Sequence, residues 1–231
     1  MEKYKIESFK NIQLFSSLTD EELYQLTNRM AVKHLKKNEI ILHEDDTNNS
    51  MYIILYGKVK VIQSSQDGKE TILAMHQSGD FFGEMSLIDG KTSPATVIAT
   101  QDSTVAIISK KNFYSLIFTQ NKALENLLKI FCSRLRESWE KIQMLNYKNS
   151  SERIKRLFAM LSNEYSKRTA EGVILNIKLT HQDIANMSGL TRETVTRIMS
   201  KWYKDGEIKI LENKFILLSP DFLQKNLNDV I

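Results

Sequence analysis

The glycines of this 231-residue chain are unevenly distributed, and they divide the sequence into regions of different character. Five glycines at positions 57, 68, 79, 83 and 90 lie between short runs that are rich in β-branched and aliphatic residues. The next glycine along the sequence is Gly172. Because glycine is common in tight turns and weakens helices, the first region is typical of a β domain and the long gap is typical of helices.

The runs around the first five glycines predict an antiparallel β domain. They are strand-length and are separated by Gly, Asp, Asn or Ser, which are typical of turns. Several short strands at near-regular spacing predict a barrel or jelly roll. Ahead of them, Thr19 and Glu22 have the spacing of a capping box, which predicts a short helix that ends at Met30. The predicted strands are 51–55, 58–62, 71–75, 95–99 and 104–108.

The segment 121–146 predicts a long helix with one apolar stripe. Its apolar residues recur every three or four positions, with Ser138 as the one polar member of the series. Such a stripe is typical of a coiled-coil seam between two chains, and also of a helix packed on its own barrel. The pattern alone leaves both interpretations open. We call these residues the apolar stripe: Leu124, Leu128, Phe131, Leu135, Ile142 and Leu145.

The residues from Thr180 to Trp202 predict a helix-turn-helix. Thr180 and Asp183 have the spacing of a capping box, and Gly189 can end the first helix in a left-handed conformation. Thr191 can cap a second helix only two residues later, and helices joined by so short a turn cross steeply. The elements predicted around the motif are a helix at 153–167, a strand at 173–179 and a hairpin of 208–211 with 214–218.

The second of these helices has an apolar face and a polar face. The polar side chains lie near its N-terminus, which is the part that enters the major groove in this motif. Arginine can bond guanine bidentately, and glutamate can accept a hydrogen bond from the cytosine amino group. The pattern therefore favours base recognition over an exposed helix whose charges are only solvated. We call its candidate base-reading residues the reading face: Arg192, Glu193, Thr196 and Arg197.

The placement of charge agrees with a nucleic-acid partner. The net charge is +4, and from Lys148 onward there are 14 Lys and Arg against 10 Asp and Glu, whereas the preceding residues contain 18 of each kind. All of the excess positive charge is thus in the last third of the chain. A basic end on a neutral body favours a polyanionic partner for that end.

Two motifs resemble those of the cyclic-AMP receptor / fumarate-nitrate regulator (CRP/FNR) superfamily of bacterial transcription regulators. Segment 191–197, Thr-Arg-Glu-Thr-Val-Thr-Arg, resembles its recognition motif, and segment 82–90, Phe-Gly-Glu-Met-Ser-Leu-Ile-Asp-Gly, resembles its effector-domain signature. The resemblance covers nearly the whole chain. It implies an α+β fold with a cyclic-nucleotide-binding-type β jelly roll at 1–120, a dimerisation helix at 121–147 and a winged helix-turn-helix at 148–231.

The resemblance implies a regulator that binds an inverted-repeat operator in double-stranded DNA as a homodimer and contacts RNA polymerase. Arg192, Glu193 and Arg197 stand at the positions that read a half-site of the TGTGA kind in the superfamily. Thr196 stands at a position that varies among its members, where a threonine can touch a thymine methyl or a phosphate. The residues expected to contact phosphates, at the start of the preceding helix, are Thr180, His181 and Gln182.

The resemblance also implies an effector pocket, and here the chain departs from the superfamily pattern. Gly83 and Glu84 match the pair that contacts the ribose of a cyclic nucleotide. Where the pattern has Arg-Ser to hold the cyclic phosphate, this chain has Ser93 and Pro94. The missing guanidinium would leave a buried phosphate without its cation, which argues against cyclic AMP and leaves the effector unidentified. A true cyclic-nucleotide receptor is the alternative.

Two further residues are candidates for that pocket. The sequence leaves open whether Lys91 substitutes, as a point charge, for the missing arginine. Ser138 falls near the position from which the superfamily's long helix contacts adenine. A small polar residue tolerated at a dimer seam explains Ser138 equally well.

Residue types argue against cofactors, catalysis and membranes. The single cysteine, Cys132, cannot supply the four ligands of an iron–sulfur cluster, and His34, His43 and His76 have no context typical of haem ligands. We therefore expect no metal and no cofactor. The sequence has no GxSxG, P-loop or HExxH motif, so we expect no enzyme. It has no apolar run of membrane-spanning length and no apolar signal core, which predicts a cytoplasmic protein without a membrane partner.

Overall fold

The computed structural model describes residues 9–212, 215–220 and 222. The chain forms two compact units, Met1–Leu135 and Arg136–Ile231. The boundary between them falls inside the longest helix, so the division of the sequence into three domains stays a prediction. Within the described residues, none of the helices combines the length and apolar character that a membrane span requires.

From residue 9 onward, the first unit has eight strands that alternate with turns, and five of them confirm the strands predicted from the sequence. The strands are β1 (Ala31–Leu35), β2 (Ile40–Leu42), β3 (Ser50–Tyr56), β4 (Lys58–Ser64), β5 (Glu70–Gln77), β6 (Phe81–Phe82), β7 (Thr96–Ala99) and β8 (Ser103–Ser109). Strands β1, β2 and β6 were not predicted.

These strands form two antiparallel sheets of four strands, in the orders β1-β8-β3-β6 and β2-β7-β4-β5. In the first sheet Ile53 pairs with Ala106, and both are buried in a core that also contains residues of the helices. In the second sheet β4 and β5 pair from Lys58 opposite Gln77 to Ser64 opposite Glu70. The two sheets confirm the predicted jelly roll.

Among the residues that the structure describes, four α-helices accompany this jelly roll, in addition to a short 3-10 helix at Gln13–Phe15. The first begins after the predicted capping box, in which Glu22 N donates to the Thr19 hydroxyl and the Glu22 carboxylate accepts from Thr19 N at 2.8 Å. It ends at Thr27, three residues before the predicted end at Met30. The second and third were not predicted. The helices are α1 (Asp20–Thr27), α2 (Glu84–Asp89), α3 (Lys110–Thr119) and α4 (Asn121–Leu145).

The described part of the second unit contains a four-stranded antiparallel sheet in the order β11-β12-β10-β9 and, up to residue 212, three further helices. They confirm the predicted winged helix-turn-helix, although Lys214 of the predicted hairpin lies outside the described residues. The elements are α5 (Ser150–Tyr165), β9 (Ser166–Thr169), β10 (Gly172–Leu175), α6 (His181–Ser188), α7 (Arg192–Lys204), β11 (Ile208–Ile210) and β12 (Ile216–Leu218).

In this unit both ends of α5 and the end of β10 differ from the prediction. Helix α5 begins at Ser150 because the Asn149 side chain caps it, accepting from Ser151 N at 2.8 Å. It ends at Tyr165, since the next four residues form β9 and pair with β10 instead of continuing the helix. Strand β10 ends at Leu175, whereas the sequence predicted a strand to residue 179.

The core of the second unit fixes α5 and α7 against each other. Phe158, Trp202 and Phe222 are buried, with ring centroids 6.2 Å apart for the first two and 5.2 Å apart for the last two. Such tilted and edge-on ring pairs add to the hydrophobic stabilisation of a core. The helix that carries the candidate base readers is therefore anchored through its inward face.

Candidate nucleic-acid interface and effector pocket

The helix-turn-helix has the local geometry that its sequence predicts. Asp183 N donates to the Thr180 hydroxyl at 3.0 Å, and the Asp183 carboxylate accepts from Thr180 N at 2.9 Å. Gly189 ends α6 in the left-handed region with φ 65°, which a residue with a Cβ adopts only at a cost. Thr191 caps α7 by accepting from Thr194 N at 3.2 Å. A turn of three residues therefore joins α6 to α7.

Helix α7 separates its packing residues from the reading face. Val195, Ile198, Met199 and Trp202 are buried. All four residues of the reading face are exposed, and three of them are in the first five residues of the helix. The structure thus brings the predicted base readers together on one free surface near the N-terminus of α7, where they are available to a ligand outside the chain.

The residues at the start of α6 are engaged within the protein. The Thr180 hydroxyl donates to the Asp183 carboxylate at 2.7 Å, and the Gln182 amide donates to the Asn186 Oδ1 at 2.7 Å. His181 Nδ1 lies 2.9 Å from the hydroxyl oxygen of Thr196, on α7. The phosphate contacts expected of Thr180, His181 and Gln182 stay predictions.

Arg153, on α5, is hydrogen-bonded to the end of the first helix of the helix-turn-helix. It was not identified from the sequence. Its guanidinium donates to the Tyr147 carbonyl at 2.7 Å and to the Ser188 carbonyl, in the last turn of α6, at 3.2 Å. The last carbonyls of a helix lack intrahelical partners, so a guanidinium there satisfies one of them and complements the helix dipole. No local motif indicates this contact, because Arg153 and Ser188 are 35 residues apart.

The centre of the predicted effector pocket is a buried ion pair. Glu84 is only 3% exposed, and its carboxylate accepts from the Arg134 guanidinium of α4 at 2.7 Å. The same guanidinium donates to the Phe81 carbonyl at 2.6 Å and lies 4.5 Å from the centroid of the Phe81 ring. Burial raises the pKa of Glu84, and the positive charge of Arg134 opposes that rise.

Arg134, the partner of Glu84, was not identified from the sequence. It is 50 residues from Glu84, and its spacing in α4 carries no sign that it faces a carboxylate. Close packing favours glycine at position 83, because a Cβ there would lie 2.9 Å from the Tyr52 ring. The Gly83 carbonyl accepts from the Asn48 amide at 2.7 Å.

The other residues of the predicted pocket are placed differently. Ser93 is buried, and its hydroxyl donates to the Ala95 carbonyl at 2.9 Å. Pro94 is exposed, and its carbonyl accepts from the Gln63 amide at 2.8 Å. Lys91 is exposed, and Ser138 is exposed on the part of α4 that belongs to the second unit. Membership of Ser93, Pro94, Ser138 and Lys91 in an effector site stays a prediction.

Helix α4 has two apolar faces. Ala123 and Leu127 are buried in the core of the first unit, and Phe131, the one stripe residue that is partly buried, packs against that core. The helix therefore does pack on its own barrel, but mainly through residues outside the apolar stripe. Five stripe residues are among the exposed large hydrophobic side chains, together with Trp139: Leu124, Leu128, Leu135, Ile142 and Leu145.

The residues considered as metal or haem ligands are not grouped. Cys132 is exposed, as are His34 and His43. His34 Nδ1 lies 3.0 Å from the hydroxyl of the buried Thr104, which is an ordinary hydrogen-bond distance. Within the part of the chain that the structure describes, no three His, Cys, Asp or Glu side chains are arranged as a metal site requires.

Two protein families match this chain, one in each unit. Residues 32–120 match the family described as Cyclic nucleotide-binding domain, and residues 152–225 match the Crp-like helix-turn-helix domain. The first range covers the jelly roll and the Glu84 site. The second covers the helix-turn-helix and the reading face.

Curated relatives match over most of the chain. The Cyclic AMP receptor protein of Thermus thermophilus is 25% identical over 87% of this chain and 90% of its own length. The Anaerobic regulatory protein of Haemophilus influenzae is 28% identical over 88% of this chain and 79% of its own length. The relatives thus carry names that refer to different signals.

Solved structures share the fold. FixK2 from Bradyrhizobium japonicum superposes with a TM-score of 0.74 at 22% identity, covering 85% of this chain and 96% of that one. A CooA mutant from Carboxydothermus hydrogenoformans superposes with a TM-score of 0.78 at 22% identity, covering 94% of each chain.

The ion pair leads to a prediction about stability and pH. Arg134→Ala leaves the Glu84 carboxylate buried without a cation, so we expect the free energy of unfolding to fall by about 3–5 kcal/mol at pH 8. Loss of the cation raises the folded-state pKa of Glu84 further above its unfolded value. The folded variant then binds more protons than the unfolded chain. The loss in its free energy of unfolding, relative to the wild type, therefore becomes smaller as the pH falls towards 5. Urea unfolding at both pH values measures this.

Lys129→Ala is the matched control on the same helix, because Lys129 pairs with Glu125 at an exposed site. Exposed pairs contribute little, so this variant should unfold like the wild type at both pH values. A deficit in Arg134→Ala that is the same at pH 5 and pH 8 contradicts the assignment of a buried, charged Glu84.

Proposed function

Because the chain belongs to the CRP/FNR superfamily of DNA-binding transcription regulators, we propose that it binds an inverted-repeat operator as a homodimer and does so without cyclic AMP. The matched relatives are regulators and not enzymes, and this chain is likewise a regulator and not an enzyme. The observation that carries the proposal is the exposed reading face on a capped and anchored α7.

The chemistry of the reading face supports sequence-specific binding. Arg192 and Arg197 each present a planar guanidinium suited to the N7 and O6 of guanine, and Glu193 presents an acceptor suited to a cytosine amino group. Side chains that only bind phosphates are typically cations, so an exposed glutamate between two arginines favours base contacts over electrostatic attraction alone. A half-site of the TGTGA kind satisfies all three residues.

The exposed part of the apolar stripe supports the homodimer. Leu128, Leu135 and Ile142 are 54%, 51% and 58% exposed in the single chain. Contiguous exposed apolar side chains of this size mark an interaction surface, and a stripe at three- and four-residue spacing on a helix fits a second copy of that helix. A two-fold dimer presents two recognition helices about 34–36 Å apart, which matches successive major grooves.

The remaining parts of the proposal rest on the superfamily. We propose that RNA polymerase is a further partner and that the protein works in the cytoplasm, where chromosomal DNA lies. A small-molecule effector is not identified by the site. Cyclic AMP is disfavoured because Ser93 and Pro94 supply no cation and Arg134 is already paired with Glu84.

A first prediction concerns the dimer. Leu128→Glu with Leu135→Glu places two carboxylates on the apolar stripe, where association would desolvate them at a large cost. We expect a folded monomer in sedimentation equilibrium and no specific operator binding. Lys129→Glu is the control, since it changes the net charge by the same amount at an exposed position outside the stripe. A double variant that sediments as a dimer places the interface elsewhere.

A second prediction concerns the operator. Selection from random DNA should return an inverted repeat, and Arg197→Ala should lose about 1–3 kcal/mol of binding free energy and relax preference at one base pair. Gln182→Ala should weaken binding to all sequences alike, as expected of a phosphate contact. Competition binding with single-base operator variants measures both. Unchanged base preference in Arg197→Ala would refute the role given to the reading face.

A third prediction separates this proposal from the alternative, a true cyclic-nucleotide receptor. The alternative is favoured by the match to a cyclic nucleotide-binding domain and by relatives named for cyclic AMP. We expect millimolar cyclic AMP or cyclic GMP to change operator affinity by less than about twofold, because the phosphate would enter the site without a dedicated guanidinium. Micromolar binding in calorimetry, or a tenfold gain in operator affinity, establishes the alternative.

A further inference from the structure

The His181 side chain contacts the reading face across the helix-turn-helix. His181 is the first residue of α6, and its Nδ1 lies 2.9 Å from the Oγ1 of Thr196. Thr196 lies on the exposed face of α7, between Arg192 and Arg197. A residue expected to contact phosphate is thus bonded to a residue expected to contact a base.

We propose that His181 is a positioning residue for Thr196, and that the pair sets base preference at the base pair that Thr196 faces. This inference rests on the proposed function, because it assumes that α7 reads an operator. It assigns to His181 a role in specificity in addition to any contact with the DNA backbone.

The hydrogen bond limits the orientation of the Thr196 side chain. In a helix, threonine divides between two χ1 rotamers because its hydroxyl can also bond a carbonyl of the preceding turn. A bond from Oγ1 to a neighbouring helix favours one of these rotamers. The hydroxyl and the methyl group of Thr196 are then held in fixed directions before DNA arrives, which lowers the entropy lost on binding.

The same bond also limits which further hydrogen bonds the Thr196 hydroxyl can make. A free threonine hydroxyl both donates and accepts, so it bonds equally to base acceptors and base amino groups. If Nδ1 accepts, Thr196 donates to it and offers only lone pairs, which suit the amino groups of adenine and cytosine. If Nδ1 donates, Thr196 keeps its proton and one lone pair, so it can bond acceptors such as guanine O6 or thymine O4 and also an amino group. In the first case one class of base is favoured, and in the second case the preference comes from the fixed direction of the hydroxyl.

The position of His181 allows the idea to be tested without unfolding the motif. The α6 cap is made by Thr180 and Asp183, and neither of its bonds uses the His181 side chain. His181→Ala therefore keeps the capping box. Thr196→Val removes the hydroxyl and keeps the shape of the side chain, on an exposed position.

The experiment is a binding competition with operator variants at every base pair of the half-site, using full-length dimer. We expect His181→Ala and Thr196→Val each to change preference by roughly two- to tenfold, as for one neutral hydrogen bond, and at the same base pair. The double variant should be no more altered than Thr196→Val alone, because the two residues act as one unit. His181→Asn should recover part of the preference, since its amide carries a hydrogen-bonding atom on the same Cγ.

Gln182→Ala is the neighbouring control, because Gln182 bonds within its own helix to Asn186. It should leave base preference unchanged. If His181→Ala also weakens all sequences alike and lowers the salt dependence of binding, His181 contacts only phosphate and the inference is wrong. Additive effects at different base pairs overturn it as well. A wild-type protein that selects no operator overturns the proposed function and this inference together, whereas an intact operator with unchanged preference in His181→Ala overturns only the inference.

Discussion

The burial of the Glu84 carboxylate is the constraint on which the first unit depends. An ionised carboxylate inside a protein requires a cation or hydrogen-bond donors beside it, and the cost of leaving it unpaired is several kcal/mol. Arg134 supplies that cation from α4. Because successive residues of a helix are about 100° apart, turning Arg134 towards Glu84 fixes the rotation of this part of the helix. Leu128 and Leu135 are then exposed, while Leu127 is buried.

In the second unit, different residues position the recognition helix and face the solvent. Aromatic and aliphatic side chains of α5 and α7 form its core, and the caps at Thr180 and Thr191 fix where the two helices of the motif begin. Arg153 holds the end of α6. None of these interactions uses the exposed side chains of α7. The framework that positions the recognition helix is therefore separate from the residues that face a ligand.

Local signals in the sequence were sufficient for much of this architecture. Capping boxes at Thr19 and Thr180, the turn at Gly189 and the long stripe of α4 are all made by residues close together in the chain, so they were predicted correctly. Strands β1 and β6 were missed because β1 contains Lys33 and His34 and β6 has only two residues. Neither shows the apolar alternation by which strands are recognised.

Contacts between distant residues could not be predicted in this way. The end of α5 depends on pairing of β9 with β10, which overrides the helical propensity of Lys167 and Arg168. The Glu84–Arg134 and His181–Thr196 pairs join residues that are 50 and 15 positions apart, and each requires two elements to be packed first. The sequence therefore indicated where the candidate sites lie and missed the partners inside them.

The separation of packing from recognition in α7 has an evolutionary consequence. Substitutions at Arg192, Thr196 or Arg197 alter an exposed surface, and exposed substitutions change stability by only about 0.5 kcal/mol. Substitutions at Val195 or Trp202 disturb a buried core and cost several times more. With the reading role proposed for these residues, duplicated copies of such a gene can acquire new DNA targets through substitutions at a few codons while the scaffold is retained. Regulators with different targets can then share the same buried core.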